Sequence, residues 1–241
     1  MKLPRSLFRL RSIVIIGNAI KISDAWKKDL PDARVGILVI NNAPNSPDHP
    51  TLQKAKKELE EELRTRYLGF ERKTLREDKI LGAYDAFYRR FRKSYHVQLQ
   101  LESVIFKDKA IFSPSALVTC MFMAELNTGL LTAAHDTDKL EFPLMVELAR
   151  GDETYQRMDG SEQELKVGDM YIKDQQGILS SVIYGPDQRT QIHPGTVNSL
   201  YTTYGPPGIT ESHIKNQLEC LEDYIKLFAP NAIRELLEVF P

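Results

Sequence analysis

The chain has little with which to build a disulfide framework. It holds two cysteines, Cys120 and Cys220, far apart in the sequence. Without a secretory pattern, such a pair implies neither a disulfide scaffold nor a cysteine zinc site. The opening Leu7-Phe8-Arg9-Leu10-Arg11 is broken by arginines, so it forms no apolar signal region. No apolar run approaches the roughly 20 residues that a membrane helix needs. The expectation is a soluble cytoplasmic protein with no membrane partner. A phosphate-cradling Gly-x-x-x-x-Gly-Lys loop is missing, as is a Gly-x-Gly-x-x-Gly turn, which weighs against an ATP or dinucleotide enzyme. There is no Gly-x-Ser-x-Gly elbow for a serine hydrolase. His49, His96, His135, His193 and His213 are scattered without metal-ligand spacing. Neither a metal nor an organic cofactor is expected. Excess charge is also lacking. A net charge of −1 gives no global field that would draw in nucleic acid.

What is present is an ordinary globular composition, with 42% apolar and 27% charged residues over 241 positions. That length buries a sizeable core without staples, and one domain over 1–241 is expected. Charge is locally uneven. Lys2, Arg5, Arg9 and Arg11 open the chain with no acid among them, and Arg89, Arg90, Arg92 and Lys93 crowd together. Beside Tyr88, Phe91 and Tyr95 the second group suits phosphate contacts and base stacking. A solvated helix face is the competing reading.

Periodicity predicts strands at Ser12–Ile16 and Val35–Asn41, with a short helix from Asp24 to Leu30 between them. Trp26 is expected in the core. Pro50–Tyr67 reads as an amphipathic helix through Leu52, Ala55, Leu59 and Leu63. Lys73–Leu81 reads as a connecting joint. Further helices are predicted over Tyr84–Lys93 and Val97–Phe106. Another is capped by Ser113, has Pro114 at its first position, and ends at Gly129. A β-rich section runs from Leu144 to Tyr204. Within it, Asp159-Gly160 forms a hairpin turn between Thr154–Met158 and Ser161–Leu165, and Gly168-Asp169 turns into Met170–Lys173. After Gly205-Pro206-Pro207-Gly208 a helix opens at Thr210 and reaches about Phe228. Ala232–Phe240 is left as helix or strand. Segregated helices and strands argue an α+β fold.

Five motifs in order carry a resemblance: Leu117-Val118-Thr119-Cys120-Met121-Phe122-Met123-Ala124-Glu125-Leu126, then Asp136-Thr137-Asp138-Lys139-Leu140, then Asp159-Gly160-Ser161-Glu162-Gln163-Glu164-Leu165, then Asp174, then Tyr184-Gly185-Pro186-Asp187. Together they resemble the editing domain of the phenylalanyl-tRNA synthetase beta subunit, its third and fourth modules. Tyr84–Phe106 is similar to the helices of freestanding versions. The resemblance covers about Tyr84 to Gly208, with the segment 1–80 and a helix over 210–228 packed on that core. It implies a layered β/β/α fold with flanking helices and a freestanding, trans-acting aminoacyl-tRNA deacylase, with mischarged tRNA as the partner. Self-association is left open.

In such a domain a water attacks an ester carbonyl while donors hold the oxyanion. The tRNA's terminal ribose hydroxyl can assist, so no protein nucleophile is required. Position by position, the family's hydroxyl-reading acid falls on Asp187, and its small-residue strand falls on Ser180 and Ser181. Alternation allows one of those serines to face a ligand. The family's histidine falls on Ala133, and His135 is the candidate to replace it as the catalytic group. A non-catalytic RNA- or protein-binding module of the same fold is the alternative. A hydrolase for another small amino-acid ester or amide is a third reading. Asp159 and Asp174 read as turn chemistry.

Overall fold

The computed structural model describes residues 19–241. The strand expected at Ser12–Ile16 and the basic opening segment lie outside these residues. The fold is α+β, built on three sheets. The first contains β1 (Ile20–Ile22), β4 (Leu144–Leu148), β7 (Met170–Lys173), β8 (Ile178–Ser181) and β9 (Gly185–Pro186), in that spatial order. Its β1 and β4 are parallel, and its other pairs are antiparallel. The second is antiparallel, in the order β11 (Ile233–Phe240), β2 (Arg34–Asn41), β10 (Ser199–Gly205) and β3 (Leu131–Asp136). A small ribbon pairs β5 (Thr154–Gln156) with β6 (Glu162–Glu164). It turns at Gly160, whose φ of 79° fits the predicted Asp-Gly hairpin.

The helices are α1 (Asp24–Asp29), α2 (Pro50–Arg66), α3 (Arg72–Leu75), α4 (Lys79–Arg89), α5 (His96–Lys107), α6 (Ala116–Thr128) and α7 (Glu211–Phe228). Helix α2 starts with Pro50, where a missing N–H costs nothing, and buries Leu52, Leu59 and Leu63 on one stripe. Helix α7 crosses β2 and β10 and buries Ile214, Leu218, Leu221 and Ile225 against them. It begins with a reciprocal cap: the Thr210 hydroxyl accepts from His213 N, and the His213 ring accepts from Thr210 N. Thr210→Ala is expected to cost about 1 kcal/mol, read as a lower denaturation midpoint at unchanged slope. All of β10 is buried, because helices cover one face of its sheet and the five-stranded sheet stands against the other. Trp26 is in the core, as expected.

Tyrosines cross-link the layers. Tyr84 on α4 donates to Tyr204 O of β10 and accepts from Leu131 N of β3. Its ring stacks on Tyr95 at 4.3 Å. Tyr88 donates to Val182 O at 2.7 Å, and Tyr95 donates to Gly129 O at 2.9 Å.

Several expectations are corrected. The joint at Lys73–Leu81 holds α3 and the start of α4, with Leu75 fully buried and Asp78 capping α4 through Ile80 N and Leu81 N. Helix α4 stops at Arg89, not Lys93. Helix α6 begins after Ser115, which makes no side-chain cap, and the Ser113 hydroxyl is turned to Gln53 and Thr119. Strand β2 falls where Val35–Asn41 was expected, but the β-rich section begins earlier than Leu144, since β3 follows α6 directly. Ala232–Phe240 resolves to a strand.

Candidate functional site

A cavity of about 540 Å³ lies beyond the free edge of β3. Helix α6 gives it Val118, Met121, Phe122 and Glu125, and β3 gives Leu131 to Ala134. The far side is made by Ser181, Gly185 and Pro186, and the mouth by Asn45, Met158, Gln191 and His193. Two of the five motifs of the resemblance line it: Leu117–Leu126 through Val118, Met121, Phe122 and Glu125, and Tyr184–Asp187 through Gly185 and Pro186. Met158 adjoins the Asp159-Gly160 turn. Asp136 holds His193 Nε2 at 2.9 Å. Asp174 accepts from Glu141 N, Gln176 N, Gly177 N and Arg189, and so ties these loops together away from the cavity wall.

An edge strand leaves every second N–H unpaired. On β3 the Thr132 N–H donates to Glu125 Oε1 at 2.7 Å and the Asp136 N–H donates to Thr190 O at 2.7 Å. Both point away from β10. The Ala134 N–H between them points the same way by alternation, and no described residue accepts it. It is a backbone donor in the cavity wall.

The predicted site residues divide. Ser181 lines the cavity, with its Oγ accepting from Tyr184 N at 3.0 Å. Ser180 faces the interior and meets His135 Nε2 at 3.1 Å and the Tyr204 hydroxyl at 2.8 Å. His135 does not reach the cavity. It is fully buried, and its Nδ1 meets Thr190 Oγ1 at 2.8 Å. Asp187 does not line the cavity either. It is buried, its carboxylate accepts from the Thr190 hydroxyl and N–H, and His135 Nδ1 lies 3.9 Å away. The two residues expected to work on a ligand therefore belong to one internal chain: Tyr204, Ser180, His135, Thr190, Asp187. Thr190 gives its proton to Asp187, so His135 Nδ1 is the donor to Thr190 and Nε2 accepts from Ser180.

Burial pushes the His135 imidazole down to about 3, and nearby Arg189 adds to the shift. It stays neutral in the fold and protonates in the unfolded chain below about 6.5. A depressed folded value stabilises above the unfolded pKa, and that stability is lost as pH falls towards 3. His135→Gln is expected to flatten the acid limb of unfolding free energy between pH 6.5 and 4 by up to about 1.4 kcal/mol per pH unit. Denaturant titrations across that range measure it, and an unchanged limb contradicts the burial argument.

The basic group is also rearranged. Arg89 pairs with Asp85 at 2.7 Å. Arg90 lies over the Phe87 and Phe91 rings, and Lys93 lies 5.3 Å over the Tyr184 ring beside the cavity wall. Arg92 stands at a left-handed turn and is exposed. Tyr88, Phe91 and Tyr95 are buried and are not available to stack a nucleic-acid base.

Residues not singled out from the sequence are Asn45, His96, Glu125, Gln191 and His193. Burial lowers His96 to about 4, and its Nδ1 meets the Tyr88 hydroxyl at 3.1 Å. Glu125 did carry a signal: it is a lone acid in an apolar helix. Among the described residues no three His, Cys, Asp or Glu side chains gather as a metal site, and no helix is long and apolar enough to cross a membrane.

No family model matches the chain, and no curated protein matches it significantly. A solved structure, an N-terminal fragment of the phenylalanyl-tRNA synthetase beta subunit from Pyrococcus horikoshii, is similar at a TM-score of 0.47 and 11% identity. The alignment covers 92% of this chain and 54% of that one, so this chain spans about half of the fragment's length. The likeness is a distant one of fold.

Proposed function

We propose that the protein hydrolyses the ester of a mischarged aminoacyl-tRNA, acting in trans. One observation carries this reading: the first and last motifs of the resemblance, on α6 and at Gly185-Pro186, line one cavity large enough for one amino acid. The wall is mainly apolar with a few polar groups, the usual make-up of a small-molecule site. In this reading the amino acid enters the cavity and its ester carbonyl lies along the edge of β3. The Ala134 N–H stabilises the oxyanion. His193, exposed at the mouth and oriented through Nε2 by Asp136, accepts from Gly195 N at Nδ1 at 3.0 Å and holds the attacking water by exchanging that bond for it. Arg92 and Lys93, next to Tyr184, are the candidates for phosphate contacts.

Ala133, in the wall where the resemblance would place a histidine, favours a second reading: a non-catalytic tRNA-binding module. Incubation of purified protein with a panel of mischarged tRNAs separates the two. Release of free amino acid well above the uncatalysed rate is the expected result. No release, with tRNA binding that weakens as salt rises, supports the second reading.

A further inference from the structure

The sole carboxyl in the cavity wall is Glu125, and one half of it is already committed. Its Oε1 accepts the Thr132 N–H at 2.7 Å, which fixes the side chain against β3. Its Oε2 has no partner among the described residues, and it is not one of the sealed, unpaired buried oxygens. It opens on the cavity. The surrounding wall is Val118, Met121, Phe122 and Leu131. We propose that Glu125 is the specificity residue of this cavity: its carboxyl presents Oε2 to the ligand's side chain and selects a neutral side chain bearing a hydroxyl or amide over an apolar isostere or an anion. The inference rests on the deacylase reading and names the substrate class for it.

The physical reason is the cost of an unmatched buried polar group. A site built to hydrogen-bond a ligand group rejects a ligand that leaves its own polar atom unpaired. Glu125 is almost entirely buried, and burial raises its carboxyl to about 8. At neutral pH it is therefore a neutral acid that both donates and accepts. The titratable groups near it are Tyr84 and Tyr88 of α4 and Tyr95, and His96 of α5 shares the cavity wall with it. Burial raises the tyrosines and lowers the histidine, so all four are uncharged between pH 6 and 9. Glu125 alone among them changes charge in that range.

The test is binding of non-hydrolysable amide-linked aminoacyl-adenosines that differ only in side chain: threonine against valine, glutamine against methionine, and glutamate. Each ratio within a pair cancels titration of the common α-amine. At pH 6.5 the full chain is expected to prefer the threonine and glutamine probes by about tenfold or more and to bind the glutamate probe weakest. Those preferences should grow as pH rises through 8 to 9.5, because an ionised Oε2 left unpaired costs more than a neutral one and accepts more strongly from a hydroxyl or amide N–H. Glu125→Gln keeps a neutral donor and acceptor, so it should keep the preference and lose its pH dependence. Glu125→Leu should abolish the preference. A preference that persists in Glu125→Leu, or a pH-dependent ratio that persists in Glu125→Gln, overturns the proposal and leaves the deacylase reading standing. If no aminoacyl probe binds the native chain at any pH, both fall.

Discussion

Val118→Trp is expected to lower release of amino acid from mischarged tRNA by about a hundredfold, a loss of about 2.7 kcal/mol in transition-state binding. Val118 lies on α6 with its side chain in the cavity wall and only partly buried. An indole there grows into about 540 Å³ of open space and not into packed core. The fold should accept it with little change in the unfolding midpoint, while the amino acid is displaced from the β3 edge. Single-turnover hydrolysis measured beside a thermal melt checks both halves. A folded variant with native activity would move the reaction to another surface.

Gly36→Ala should destabilise the fold towards the upper end of the about 1–3 kcal/mol typical of overpacking. Gly36 lies in β2 under helix α7, and an added Cβ would meet Ile214 Cγ2 at 2.2 Å and Leu218 Cδ1 at 2.9 Å. Both neighbours are fully buried, so neither can swing away. For a chain of this size the midpoint should fall by about 4–10 °C. Removing the clashing methyl with Ile214→Ala should make the double variant less destabilised than the sum of the two singles. Strict additivity would mean that the helix lifts off the sheet as a body.

The helices were legible because their stripes were regular. Leu52, Leu59 and Leu63, or Ile214, Leu218, Leu221 and Ile225, repeat at helical spacing and bury where that spacing says. The hairpins were legible because Asp159-Gly160 and Gly168-Asp169 are local signals. Strand β3 was not. Leu131-Thr132-Ala133-Ala134-His135-Asp136 is buried on both faces, so it shows no alternation, and its alanines have weak strand preference. Missing β3 meant missing which way His135 points. Its place before Asp136 suggested a site histidine, but the strand turns the ring inward to Ser180 and Thr190. Asp187 was placed in the right neighbourhood, with Pro186 in the cavity wall, yet its carboxylate is consumed by Thr190 three residues on. Spacing along the chain locates a segment near a site. It does not say which of two adjacent side chains faces the ligand.

The central claim is that this cavity receives the amino acid at the end of a tRNA. Photo-crosslinking tests it most directly, using a non-hydrolysable aminoacyl-adenosine with a photoreactive group on its side chain and peptide mapping by mass spectrometry. Labels on residues 116–128 and 181–194, competed by mischarged tRNA, are the predicted result. Labels confined to other segments, or label at the cavity that tRNA does not displace, would contradict it.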